Sequence, residues 1–194
     1  MACAHGEYVP AAATDPSGVK RADTGAPPLD NQVVPLSTLE LIRQHLRSHA
    51  IDFREVHHAP TFTSEESARA RGEDLRIGGK ALLMKTGDVF RLFVLSASLR
   101  ADSAAIREKF GVRKIRFATA DELRELTGLA PGSVPPFGKP ILPFEIYGDV
   151  SIAANEKIAF NAGSLEDSII LRVDDWMRAA NPEIFPFGAP PDPR

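Results

Sequence analysis

The residues that first suggest chemistry are Gly78-Gly79-Lys80, which open the apolar run Ala81-Leu82-Leu83-Met84. An ammonium buried without a partner is strongly destabilising, so Lys80 must either snorkel to water or meet an anion at the mouth of the core. The two glycines permit close backbone approach or positive φ, as in a plain turn or at a ligand site. They precede a strand, the reverse of the strand-glycines-helix order of nucleotide-binding loops. The other reactive side chains form no set. His57-His58 offer one metal ligand or a base, but without a matching carboxylate or third ligand the pair reads as structural. Ser64, Ser96 and Ser133 lack the elbow motif of an activated nucleophile. Cys3 is the single cysteine. Neither a disulfide nor a zinc cluster is therefore expected, and no metal or cofactor is implied.

The elements around Lys80 can be read from pattern and punctuation. Residues 1–34 are rich in Ala, Pro, Gly, Asp and Thr without periodicity and are expected to be a flexible leader. Leu39, Ile42 and Leu46 recur at helical spacing, with Ser37 as N-cap and Glu40 expected to complete a capping box. A short strand at Phe53 and Val56 ends at Pro60. A second helix starts at Thr63 or Ser64 and stops at Gly72. KALLMKT and VFRLFVLS flank Gly87-Asp88, the pattern of a tight antiparallel hairpin at the centre of a sheet. Strand alternation then puts Lys80 on one face with Leu82 and Met84, and Lys85 on the other with Ala81 and Leu83. SAAIREKFG and TADELRELTG read as helices on either side of a strand in VRKIRFA. Residues 129–143 hold five prolines and predict a stiff irregular loop. KIAFNAG and SIILRVDD are strands and WMRAAN a closing helix. The expected fold is mixed α/β, a mixed β-sheet surrounded by helices in one domain over 35–181. A proline-rich tail over 182–194 is expected to be pinned by Phe185 and Phe187.

Of the 194 residues, 43% are hydrophobic and 25% charged, enough for a sizeable core. The net charge of -3 conceals a basic segment. Twelve Lys/Arg stand against five acids between Arg69 and Arg116, so this stretch is either solvated surface or a face for a polyanion such as RNA. No apolar run approaches the roughly 20 residues that span a bilayer, and no signal peptide is recognisable, so neither membrane nor secretion is expected and the cytoplasm is the default.

Four stretches carry a resemblance when taken in order: HHAPTFTSEESARARG, GGKALLMKTGDVFRLFVLSA, LTGLAPGSVPPFG and KIAFNAGSLEDSIIL. Together they resemble the YbaK/aminoacyl-tRNA editing domain family, which includes the domain inserted in bacterial prolyl-tRNA synthetases, over about Ser37 to Ala180. The resemblance implies a free-standing deacylase acting on the acceptor end of mischarged aminoacyl-tRNA. An aminoacyl-tRNA synthetase is a further expected partner; DNA is not. It implies Lys80, Gly132 and Ser133 at the reaction centre, with His58, Thr61, Gly79, Pro131, Gly138, Gly163 and Ser168 around the substrate. Chemically, Lys80 suits a phosphate or the ester carbonyl, and the N–H groups of Gly132 and Ser133 suit a developing oxyanion. No residue is an obvious base; the family's water activation is attributed to the substrate's ribose hydroxyl. The chain departs from the subgroup that removes alanine from proline tRNA, having Lys80-Ala81 for Lys-Asn and Phe160-Asn161-Ala162-Gly163 where that subgroup has the late His-Pro. Ser168 falls where the YbaK subgroup has aspartate. The alternative reading is a non-catalytic module of the same fold that holds an aminoacyl-tRNA or an amino-acid derivative.

Overall fold

The computed structural model describes residues 36–191, so the expected leader lies outside the described residues. Helix α1 (Thr38–Ser48) is capped by Ser37, whose hydroxyl accepts from the Glu40 N–H at 3.2 Å. The expected reciprocal half of that capping box is absent, because the Glu40 carboxylate turns to Arg43. Strand β1 (Arg54–His57) leads to α2 (Ser64–Arg71), where Thr63 and Glu66 form a full capping box and Gly72, at φ 68°, ends the helix. A 3-10 turn over Leu75–Ile77 precedes β2 (Gly79–Thr86) and β3 (Val89–Ser96), paired from Gly79↔Ser96 to Thr86↔Val89 around the Gly87-Asp88 turn. Then come β4 (Arg100–Ala101), α3 (Ser103–Phe110), β5 (Ile115–Phe117) and α4 (Ala120–Thr127), the last with its own capping box from Thr119 and Glu122. After the proline-rich loop follow β6 (Ile146–Gly148), α5 (Val150–Ala153), β7 (Lys157–Asn161), β8 (Asp167–Arg172) and α6 (Val173–Ala180). Strands β9 (Glu183–Ile184) and β10 (Gly188–Ala189) close the described chain.

The expected mixed sheet is present, but it is divided. One sheet has the order β5-β2-β3-β6-β9, with parallel pairing at β3–β6 and β6–β9, and an antiparallel sheet has the order β1-β8-β7. A parallel bridge from Gly78 to Ala159 joins their edges. There a Cβ on Gly79 would lie 2.6 Å from Ile158, so glycine is required for the sheets to meet. Alternation along β3 builds two cores. Leu92 and Val94 face the larger one with Ile158, Phe160 and Trp176, while Phe93 and Leu95 face a smaller one with Met84, Ile106, Tyr147 and Phe187. The proline-rich loop belongs to the larger core: Phe137 is buried, and the Trp176 indole N–H donates to the Pro136 carbonyl at 2.8 Å.

Residues 182–191, which belong to the expected tail held by two phenylalanines, are built into the fold. Beyond the rings of Phe185 and Phe187, β9 extends the five-stranded sheet and β10 pairs with β4. The buried Asp149 carboxylate accepts from the N–H groups of Phe187 at 2.6 Å and Gly188 at 2.7 Å. Two amides shielded from water would be orphaned without it. Among the described residues no helix is long and apolar enough to cross a membrane.

Candidate active-site cleft

A cleft of about 230 Å³ opens where the two sheets meet. Lys80, at the second position of β2, lies on its wall beside Gly79 and Leu82. The ammonium is half-buried and donates to the Leu99 carbonyl at 2.5 Å. Burial pushes its pKa below the ordinary lysine value, opposed by the charge of Glu65 on α2. The alternation read from sequence holds: Leu82 and Met84 pack with the smaller core, Ala81 and Leu83 with the larger. Lys85, on the opposite face from Lys80, sits over the Phe90 ring at 5.6 Å.

The floor is polar and comes from α2 and β7. Arg71, the last residue of α2, is 8% exposed. Its Nε donates to Ser168 Oγ at 2.9 Å, Nη1 to the Ala159 carbonyl at 3.2 Å and Nη2 to Asn161 Oδ1 at 2.5 Å. All three acceptors are neutral, and burial alone pushes the guanidinium down to about 10. A guanidinium with that value is still charged at neutral pH. Asn161 passes the connection on, its Nδ2 donating to the Gly132 carbonyl at 2.9 Å. The Gly163 N–H donates to the Ser133 carbonyl at 3.0 Å, so the loop carrying Gly132 is held at two points by the end of β7. Gly132 itself has φ 89°, a conformation that favours glycine, and lies on the cleft wall. Thr61 and Ser67, both buried, share a 2.8 Å hydroxyl contact on the α2 side. None of the cleft-lining residues is Asp, Glu or His. Among the described residues no group of three or more His, Cys, Asp or Glu is placed to hold a metal.

The residues expected at the site separate into groups. Lys80, Gly79, Thr61 and Gly132 line the cleft. Ser168 and His58 stand behind it: His58 Nδ1 meets its neighbour's carbonyl, Ala59 O, at 2.8 Å and so carries the proton, leaving Nε2 to accept from Ser168 at 2.8 Å when the ring is neutral. Their bearing on the cleft is through Arg71. Pro131 lines an adjoining cavity of about 150 Å³ that shares Ala81, Leu82, Gly132 and Val134 with the first. Three of the expected residues are engaged elsewhere. The Ser133 N–H is spent on the Ala130 carbonyl at 3.1 Å and is not free for an oxyanion. A Cβ on Gly138 would strike the Phe144 carbonyl at 2.5 Å, and one on Gly163 would strike Thr38 at 2.6 Å. Both glycines are there for packing, and neither lines the cleft. Within the basic segment Arg71 is buried, Arg76 pairs with Asp74, Lys109 with Glu183 and Arg116 with Glu122. Sequence reasoning missed Arg71 and Asn161. The signal was Ser67 and Arg71 at i, i+4 on a helix with no apolar stripe.

Comparison with known proteins places this cleft in an aminoacyl-tRNA editing domain, a class whose named relatives are hydrolases of aminoacyl-tRNA. The family model for the aminoacyl-tRNA editing domain matches residues 58–179, and the chain belongs to that family. It is similar to the multifunctional Ser/Thr-tRNA deacylase ProXp-y of Escherichia coli (strain K12), 33% identical over 147 residues that cover 73% of this chain and 87% of that protein. It is also similar to the prolyl-tRNA editing protein ProX of Acetoanaerobium sticklandii, 24% identical over 130 residues, 64% of this chain and 79% of that one. The fold matches a crystal structure described as a candidate trans-editing enzyme for prolyl-tRNA synthetase. The TM-score is 0.69 at 22% identity, covering 80% of this chain and 99% of the other.

Proposed function

We propose that this protein is a free-standing deacylase that hydrolyses the ester of mischarged aminoacyl-tRNA, with seryl and threonyl esters as its preferred class. The observation that carries the reading is the cleft's composition: two cations, Lys80 and Arg71, several hydroxyls and no acid or imidazole. Such a lining suits a substrate that brings phosphate and develops negative charge on an ester oxygen. Lys80, fixed by the Leu99 carbonyl, contacts the acceptor-end phosphate or the ester carbonyl. The Gly132 N–H is the oxyanion donor left once the Ser133 N–H is excluded. With no base on the cleft wall, the attacking water's proton is relayed through the substrate's free ribose hydroxyl, which passes its own proton to the departing ester oxygen as the acyl–oxygen bond breaks. Aminoacyl esters are activated enough for positioning to supply much of the rate. The serine and threonine preference rests on similarity to the E. coli deacylase and on the polar floor.

The experiment is single-turnover deacylation of tRNAs mischarged with serine, threonine, alanine and proline. The expected outcome is rapid loss of the seryl and threonyl esters. Hydrolysis of none of them at any enzyme concentration overturns the enzyme reading and leaves a binding module.

A further inference from the structure

We propose that Arg71 is the residue with which the cleft reads a hydroxyl on the substrate's amino-acid side chain. The inference rests on the deacylase reading and deepens it. Arg71 has five N–H donors, and three are fixed by Ser168, the Ala159 carbonyl and Asn161. The other two have no acceptor among the described residues, although the side chain is 8% exposed and lines the cleft. The three fixed bonds hold the planar fork still, so the remaining donors are aimed before substrate arrives.

The charge deepens the imbalance. Exposed arginines of this chain pair with acids, as Arg43 does with Glu55 and Arg116 with Glu122, whereas every partner of Arg71 is neutral. A buried cation held only by dipoles is weak evidence for stability, because an apolar side chain of similar length avoids its desolvation. Its place in the cleft is explained by an oxygen that arrives from outside. A serine or threonine hydroxyl supplies that acceptor, and an alanine methyl leaves the donors desolvated and unpaired. A site built to bond a hydroxyl discriminates strongly against the analogue that lacks it. A lining of two cations and no acid also rejects lysyl and arginyl esters.

The test compares wild type, Arg71→Met and Arg71→Lys for kcat/KM on seryl-, alanyl- and aspartyl-tRNA, alongside thermal unfolding. Arg71→Met is expected to lower the seryl-to-alanyl ratio at least tenfold, any loss through the Asn161–Gly132 link falling on both esters alike. Arg71→Lys is expected to recover little of the ratio, because one ammonium cannot keep three anchors and still reach the substrate. Equal losses on seryl and alanyl esters overturn the proposal, as does a wild type that takes the aspartyl ester in preference to the seryl. If Arg71→Met does not fold, the stability argument is wrong and the proposal falls with it. Binding of the non-hydrolysable amides of 3′-seryl- and 3′-alanyl-adenosine separates this failure from that of the deacylase reading. A wild type that hydrolyses no ester but prefers the seryl amide, with Arg71→Met losing that preference, refutes the enzyme and keeps the specificity residue.

Discussion

Helices α2 and α4 are built to one plan and used for different ends. Each has eight residues, a threonine N-cap in a full capping box with a glutamate, and a left-handed glycine stop. The inward faces differ. Helix α4 buries Leu123 in the larger core, whereas α2 buries Ser67, Ala68 and Arg71, two of them polar. The caps therefore define where a helix starts and stops, and the inward face determines whether it holds the fold together or serves the cleft. A helix that turns serine and arginine inward gains little from burial, so α2 is held by its capping box, by hydrogen bonds to β7 and β8, and by Ala68.

This contrast predicts that changes on the α2 side fall on activity and those on the α4 side on stability. The largest effect is expected at Lys80, across the cleft from α2. Lys80→Ala loses about a hundredfold or more in single-turnover rate, worth roughly 3 kcal/mol, with its circular dichroism unchanged. Lys85→Ala, on the opposite face of β2, loses far less; equal losses would make Lys80 structural. Because burial lowers the Lys80 pKa, the charged form it needs disappears as pH rises through a value below the ordinary lysine range. The enzymatic rate, after subtraction of spontaneous hydrolysis, is expected to fall on that limb. Next comes Leu123→Ala, which is expected to cost about 2–5 kcal/mol in chemical denaturation and leave kcat/KM of the folded protein intact. Ser67→Ala is its counterpart, with less than about 1 kcal/mol of stability lost, since Thr61 keeps the Leu165 carbonyl, and a several-fold drop in kcat/KM as Thr61 loses its contact to Ser67. A Leu123 variant that loses activity while folded would break the contrast. The smallest effects sharpen it: Thr63→Ala and Thr119→Ala should each cost about 1 kcal/mol, but only the first should also weaken deacylation.

How far these features were legible in sequence follows from how each is encoded. The long elements carry local marks: Thr63, Glu66 and Gly72 bound α2, and Gly87-Asp88 closes the hairpin of β2 and β3. Strands β4, β6, β9 and β10 have two or three residues each, too few to show a period, and exist only through their partners. The same holds in the cleft. Lys80 was visible because it interrupts an apolar run, and Gly132 because it sits among prolines. Arg71 looked like one more member of a basic stretch, since sequence does not show that its neighbours in space are Ser168, Asn161 and a bare carbonyl. Gly138 and Gly163 show the converse, because a glycine demanded by packing reads the same as one demanded by a ligand.

The grip of Asp149 on the amides of Phe187 and Gly188 has a consequence for the order in which the protein can be made. A ribosome delivers the chain from its first residue to its last, so β3, β4 and β6 emerge well before the segment that covers them. Until residues 183–189 follow, the Asp149 carboxylate lacks two of its donors, β6 presents an open edge, and the rings of Phe93 and Tyr147 lack their contacts with Phe187 and Phe185. Nascent chains halted near residue 181 would therefore carry a cleft with most of its residues and a sheet with a bare flank, a state prone to sticking to its neighbours. Completion waits on those last residues, and a translating cell has reason to shield the polypeptide until they arrive.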